Sequence, residues 1–260
     1  MLPIALTIAG SDASGGAGLQ ADLKTFHQWH VFGQAVVTLI TVQNTLGIQR
    51  VETMPGDLVI EQIRAVIEDV APNAAKTGAL GSVEVVLGVA RYSAEFTFPL
   101  VVDPVIISKH GAPLLSRHAV DAMRTALLPR ASLVMPNLAE AAELTGREVT
   151  DVPRMRDAAR ALVEMGARAA LVKGGHLEGD AIDVLLDGDV FHEFRAARVK
   201  TRHTHGTGCT YSAAVTAGLA TGLQLVEAVA RAKKFVTLAI QNNPGLGRGQ
   251  GPLNHWVSLD

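Results

Sequence analysis

Short apolar runs alternate with longer amphipathic stretches along this chain, and almost every apolar run stops at a polar residue. Ile4–Ala9 is the first, ending in Gly10-Ser11-Asp12. A run of that length without internal alternation predicts a strand buried on both faces, as in parallel sheets. The loop Ala13–Gly18 follows, and Leu19, Leu23, Phe26 and His30 fall near one face of a helix over roughly Leu19–His30. Ala35–Val42 predicts a second strand, closed by Gln43-Asn44-Thr45, and Asp57 is placed to cap a helix over about Leu58–Asp69. Ala74–Thr77, Leu100–Val102, Ser132–Met135 and Ala169–Val172 predict further short strands. Ser82, Ser116 and Asp151 are cap residues for helices over Val83–Tyr92, to about Leu128 and to Met165, with a shorter helix over Leu138–Leu144. Ile182–Leu186 and Val190–Phe194 flank Asp187-Gly188-Asp189, a hairpin signal, and a long helix is expected near Leu225–Gln241. The glycine-rich tail Gly245–Gly251 reads as a loop. No repeat or composition break appears, so residues 1–260 are expected to form one α/β domain, a mainly parallel sheet with helices on both faces.

Composition narrows the function classes. The formal net charge is −2, and no basic cluster is longer than Lys233-Lys234, so a nucleic-acid partner is not expected. No apolar run approaches the length of a membrane span, and the N-terminus lacks the basic region of a signal peptide. A single cysteine, Cys209, cannot form an internal disulfide, which makes a reducing cytoplasm the expected compartment.

The polar residues at the ends of the runs are more informative. Asp12, Gln43, Lys76, Asp103, Asn137 and Lys173 lie at or just beyond the carboxyl ends of predicted strands, where open α/β sheets bind ligands. Asp103 and Glu140 are hard oxygen donors suited to Mg²⁺, and Asn137, three residues before Glu140, could add a carbonyl or orient a water. Lys173, in Val-Lys-Gly-Gly, could place an ammonium on a phosphate. In His205–Thr216, Gly206 and Gly208 bracket Thr207 and lead into a small-residue helix that carries Cys209 in its first turn. Converging N–H groups there make an anion site, and the same field would lower the pKa of a thiol. A core helix with a buried thiol is the plain alternative. His203, His205 and Cys209 also suggest a zinc arrangement, although no fourth ligand has recognisable spacing. The carboxamide of Gln43 matches a heterocycle edge such as an aminopyrimidine, or it is an ordinary turn residue.

Taken in order, Gly10–Gly18, Gln20–Phe26, Val42–Thr45, Lys76–Gly78, Val101–Val105, Pro136–Ala141, Val172–His176 and Thr204–Thr210 resemble the motifs of the hydroxymethylpyrimidine/phosphomethylpyrimidine kinases of thiamine biosynthesis. The resemblance implies a three-layer α/β/α ribokinase-like fold. It also implies two successive ATP-dependent phosphorylations, of 4-amino-5-hydroxymethyl-2-methylpyrimidine and then of its monophosphate. On the matched positions Cys209 becomes the proposed base, and Gly206, Thr207 and Gly208 the anion hole. Asn137 and Glu140 match the Mg²⁺/phosphate motif, with Asp103 beside them. Lys173 matches the ATP phosphate region, where Thr204 is assigned as well. Gln43 matches the pyrimidine contact, with Gly10, Ala17 and Asp22 as neighbours. ATP, Mg²⁺ and a homodimer are implied with these roles. Three positions depart from the family pattern: Ala79 where methionine is common, Met135 for threonine and His203 for asparagine. Ala79 leaves a pyridoxal kinase, or an enzyme acting on both rings, as the nearest alternative. A non-catalytic pyrimidine-binding regulator would have no need for Cys209, Lys173, Asn137 and Glu140.

Overall fold

The computed structural model describes residues 2–108, 111, 113–175 and 177–259; His176, the last residue of one motif, lies outside them. The strands are β1 (Ile4–Asp12), β2 (Phe32–Asn44), β3 (Gly47–Thr53), β4 (Ala74–Thr77), β5 (Leu100–Val102), β6 (Leu133–Val134), β7 (Ala169–Gly174), β8 (Ala181–Asp187) and β9 (Val190–Ala196). They form one sheet in the order β3-β2-β1-β4-β5-β6-β7-β8-β9. The six strands from β2 through β7 in that order run parallel, and β3, β8 and β9 are antiparallel additions at the two edges.

The helices are α1 (Gly18–Gln28), α2 (Gly56–Asp69), α3 (Val83–Tyr92), α4 (Arg117–Ala122), α5 (Leu138–Thr145), α6 (Val152–Glu164), α7 (Thr207–Ala220) and α8 (Leu225–Gln241). Strand side chains alternate between two cores, which explains why the runs are apolar throughout rather than every second residue. Leu100 and Val102 of β5, and Ala170 and Val172 of β7, face the helices α2 to α6. Val101, Ala169 and Leu171 face α7 and α8, while Ala5 and Ala74 meet Phe26 of α1 and Ala213 and Ala217 of α7. The result is the expected three-layer α/β/α arrangement. In α7 the buried residues run almost without a break from Thr210 to Ala220, because the helix is enclosed by the sheet, α1 and α8. Small side chains suit that position: a Cβ on Gly218 would come within 2.9 Å of Ala228 Cβ.

Four expectations are corrected. Strand β3 was not foreseen: Gly-Ile-Gln-Arg-Val-Glu-Thr is half polar, and its pairing with β2 supplies what its own pattern lacks. Pro55, not Asp57, is the N-cap of α2, its extended backbone (φ −54°, ψ 138°) entering the helix directly. The helix expected to reach Leu128 is α-helical only to Ala122, then widens into a π turn over Met123–Leu127 and a 3-10 turn at Leu128–Arg130. The tail is not a free loop. Gly249 N–H donates to Thr45 Oγ1 and Gln250 N–H to Thr45 O, strapping the tail across the end of β2.

Candidate active site

Two glycine loops meet at the carboxyl edge of the sheet. The first ends β1 and opens α1; Gly18 has φ 54°, and a Cβ on it would stand 2.2 Å from Gly10 O. The second opens α7 at Gly206, which is left-handed (φ 80°) and whose Cβ would lie 1.8 Å from Gly16 O. Only glycine permits either conformation without strain. The two helix N-termini therefore face one another, and neither has a side-chain cap. Thr207 N–H is occupied by Thr204 O at 3.3 Å, so the first-turn amides free of an intrahelical carbonyl are those of Gly208 and Cys209. Gly18 N–H points at the Cys209 sulfur from the other helix.

Beside this turn lies a charged floor. Lys173 Nζ donates to Asp103 Oδ1 at 2.8 Å, and Asp103 Oδ2 accepts Ser212 Oγ–H at 3.1 Å. A Cβ on Gly208 would be 3.5 Å from Lys173 Nζ, so the ammonium sits against the turn itself. Burial works against the Lys173 charge, but the Asp103 and Glu140 carboxylates outweigh it and hold the pKa above the ordinary lysine value. Asn137 and Glu140 cap α5 reciprocally: Asn137 Oδ1 accepts Glu140 N–H at 2.9 Å, and Glu140 Oε2 accepts Asn137 N–H at 2.8 Å. Burial, with Asp103 adding to it, pushes the Glu140 carboxyl up to about 7.

One cavity of about 970 Å³ runs along all of these groups. At one end Gln43, Thr41, Leu39 and Ile48 face Gly10, Ala17, Gly78 and Ala79; at the other lie Ala196, Val199, Val236 and Ile240. Asp103, Asn137, Glu140, Lys173, Thr204, Gly206, Thr207, Gly208 and Cys209 line the stretch between them.

Three expectations about the site change. Asp22 does not face the cavity. It is fully buried behind the wall, where both carboxylate oxygens take Lys76 Nζ at 2.8 Å and Oδ2 also takes Thr7 Oγ1–H at 2.6 Å. The Cys209 thiol is not acidified: burial pushes it up to about 12, with the Lys76 ammonium and the Gly18 amide pulling back and Asp22 and Asp103 pushing further. The zinc arrangement does not form. Among the described residues no three His, Cys, Asp or Glu side chains are placed to hold a metal, since His205 Nε2 meets Asp12 and His203 Nδ1 accepts Gly251 N–H.

The family model for phosphomethylpyrimidine kinase matches residues 12–254. A hydroxymethylpyrimidine/phosphomethylpyrimidine kinase of Streptomyces coelicolor is 49% identical over 257 residues, covering 99% of this chain and 96% of its own. The chain belongs to the phosphomethylpyrimidine kinase family. Its members are phosphotransferases. Among solved structures, the phosphomethylpyrimidine kinase of Clostridium difficile superposes with a TM-score of 0.82 at 40% identity, covering 92% of this chain and 99% of that one. The pyridoxal kinase of Staphylococcus aureus, bound to AMP-PCP and pyridoxal, superposes with a TM-score of 0.91 at 36% identity, covering 98% of this chain and 94% of that one.

Sequence reasoning missed several groups at this site. Lys233 Nζ donates to Asp183 Oδ2 at 2.7 Å, and Asp183 Oδ1 accepts Gly174 N–H at 3.0 Å, fixing the backbone after Lys173. Arg198 donates to the carbonyls of Gly175, Leu177 and Gly179 and gathers the loop after β7. Asp183 and Lys233 sit mid-element in unremarkable surroundings, and Arg198 belongs to no motif; only tertiary pairing gives them a role.

Proposed function

We propose that this cavity transfers the γ-phosphoryl group of ATP to the hydroxymethyl oxygen of 4-amino-5-hydroxymethyl-2-methylpyrimidine, and then transfers another to the monophosphate. The observation that carries the proposal is the uncapped N-terminus of α7, with Cys209 in it, standing beside Lys173 in the same cavity as Gln43. Phosphoryl transfer asks the protein mainly for positioning and charge stabilisation. In this reading the Gln43 carboxamide orients the aminopyrimidine edge, with Gly10 and Ala17 as its walls. The amides of Gly208 and Cys209, next to Gly206 and Thr207, receive the transferring group. Lys173 exchanges part of its contact with Asp103 for phosphate oxygens, assisted by the Asn137 side-chain NH₂, which the cap leaves free to donate. The apolar end at Val199, Val236 and Ile240 accepts the adenine, with Thr204 on the phosphate side.

The residues fit Mg²⁺. Asp103 and Glu140 are buried oxygen donors close enough to repel one another, with Lys173 the cation between them. These two would hold the ion together with phosphate oxygens and water. When bound, it supplies charge neutralisation between the phosphates and the carboxylates. Cys209 serves as proton acceptor in its minor thiolate form, which Lys76 and the Gly18 amide favour. This role is narrower than that of a standing base, and a loose transition state asks little of a base until the new P–O bond forms.

The test is ATP turnover with the pyrimidine, its monophosphate and pyridoxal, side by side. Turnover of both pyrimidines is expected. Activity on pyridoxal with none on the pyrimidine monophosphate would replace this reading with the pyridoxal one, for which Ala79 leaves room in the wall. We also propose a cytoplasmic homodimer. Supporting it, Ile40, Val42 and Leu46 expose apolar side chains at and just beyond the end of β2, a surface suited to a second copy. A single monomeric mass in light scattering at micromolar concentration would reject the dimer. No helix among the described residues is long and apolar enough to cross a membrane.

A further inference from the structure

His205 stands where three segments cross, and the mechanism above gives it no task. Its ring is buried, with 4% of the residue exposed, and Nε2 lies 2.8 Å from Asp12 Oδ2. The same oxygen accepts Ala17 N–H at 2.8 Å, while Asp12 Oδ1 accepts Ser14 N–H at 2.8 Å and Ser14 Oγ–H at 2.7 Å. Asp12 thus shapes the whole first glycine loop and offers its remaining capacity to His205. An ionised carboxylate only accepts, so Nε2 carries the hydrogen. The imidazole edge covers Gly16, where a Cβ would stand 2.7 Å from His205 Cδ2. On the other side His205 N–H donates to Gly251 O at 3.1 Å, and Gly251 N–H donates to His203 Nδ1 at 3.1 Å. The tail continues back to Thr45, two residues beyond Gln43.

The geometry has a consequence for transfer. Gly206 follows His205 directly and rests on the Gly16 carbonyl with no room for a side chain. The distance between the substrate loop and the amides of Gly208 and Cys209 is therefore set by the contact that holds His205 down. Two polar side chains buried at such a crossing are costly unless bonded, and the Nε2–Oδ2 bond offsets part of that cost for both. We propose that Asp12 and His205 are a positioning pair that fixes the turn receiving the phosphoryl group against the loop that walls the pyrimidine. Neither residue transfers a proton in this role. The proposal rests on the kinase reading but concerns ratios among variants, so failure of the unaltered chain to turn over the pyrimidine would strike that reading alone.

The test is a double-mutant cycle on the full chain, using Asp12→Asn, His205→Leu, His205→Gln and the combination Asp12→Asn/His205→Leu. Measurements are kcat at saturating ATP and pyrimidine, KM for ATP, and Tm. His205→Leu removes the bond at similar volume and is expected to lower kcat about 30-fold, with KM for ATP within about threefold, the signature of misplacement rather than lost nucleotide binding. His205→Gln, which can still donate to Asp12, is expected to recover most of that loss. The double variant is expected to be no slower than the slower single, because one shared bond can be broken only once. A kcat for His205→Leu within about twofold of the unaltered chain would overturn the proposal. Equal losses in His205→Leu and His205→Gln that track Tm would do the same, and so would losses that multiply in the double variant. If His205→Leu does not fold, the same cycle is run with His205→Met, which also removes the bond, and is decided by the same additivity criterion.

Discussion

Two lysines on strands β4 and β7 of the same sheet are each paired with an aspartate, and they have opposite relations to the cavity. Lys173 and Asp103 keep 12% and 3% of their side chains exposed, and their exposed edge is the cavity wall. Lys76 and Asp22 expose nothing, and Thr7 Oγ1–H closes on Asp22 Oδ2. Burial opposes both ammonium charges, and in both cases nearby carboxylates raise the pKa above the ordinary value. The difference is access. A pair that opens on a cavity can exchange partners with an arriving phosphate. A sealed pair cannot, and contributes only a fixed field and a fixed shape.

Substitutions should separate the two. The largest effect is expected for Lys76→Met, which leaves Asp22 buried without its partner and costs about 3–5 kcal/mol of stability in denaturant titration. Replacing both residues, as in Lys76→Met/Asp22→Leu, should return most of that loss. A stable Lys76→Met chain would mean that the pair is not sealed. The alkaline limb carries the same sign: a lysine whose pKa is raised on folding stabilises fully below its unfolded value, and that stability disappears as pH rises through the folded value. Unfolding above pH 10.5 should therefore be less steep in the double variant. Next in size, Lys173→Met should lower kcat about 100- to 1,000-fold, as expected for removing a donor to transferring charge, and should cost less stability than Lys76→Met because its pair opens on the cavity. If its loss were mainly of stability, the contrast between the pairs would collapse.

Smaller effects sharpen the picture around Cys209, which lies between the two pairs. With the thiol pushed up to about 12, its alkylation by iodoacetamide should accelerate about tenfold per pH unit up to pH 9 without levelling off. A plateau near neutral pH would show a depressed thiol and overturn the burial argument. If Cys209 accepts the substrate proton as thiolate, kcat/KM should rise with pH over the same range, and Cys209→Ala should abolish the slope while retaining pyrimidine binding. The smallest change is expected from Gln43→Ala, about tenfold in KM for the pyrimidine with little change in that for ATP.

Much of this fold is legible in the sequence alone. β4, β5, α3 and α8 fall where the apolar runs and caps put them, because each is specified locally: Ser82 Oγ does accept Val85 N–H at 3.2 Å. The strand-end rule brought Gln43, Asp103, Asn137 and Lys173 to one cavity. What stayed hidden depends on partners distant in the chain. Lys76 and Asp22 each look like site residues, and nothing local says that they neutralise one another across 54 positions. The N-terminal position of Cys209 suggested an acidic thiol, whereas desolvation by the surrounding fold, a tertiary property, decides the direction for this partly buried residue. Glycines 247, 249 and 251 read as a loop because their contacts with Thr45 and His203 close only in the fold.

The wall beside Gln43 bears on how one site performs two reactions. After the first transfer the accepting oxygen belongs to a phosphate, farther from the ring, while the amides of Gly208 and Cys209, proposed to receive the incoming group, keep their place. The ring must retreat to keep that oxygen in reach. Ala9, Gly10, Gly78 and Ala79 line the cavity with nothing larger than a methyl group, which leaves room for such a shift. A wall of this kind makes the pocket a sliding gauge, able to seat the same ring at two depths.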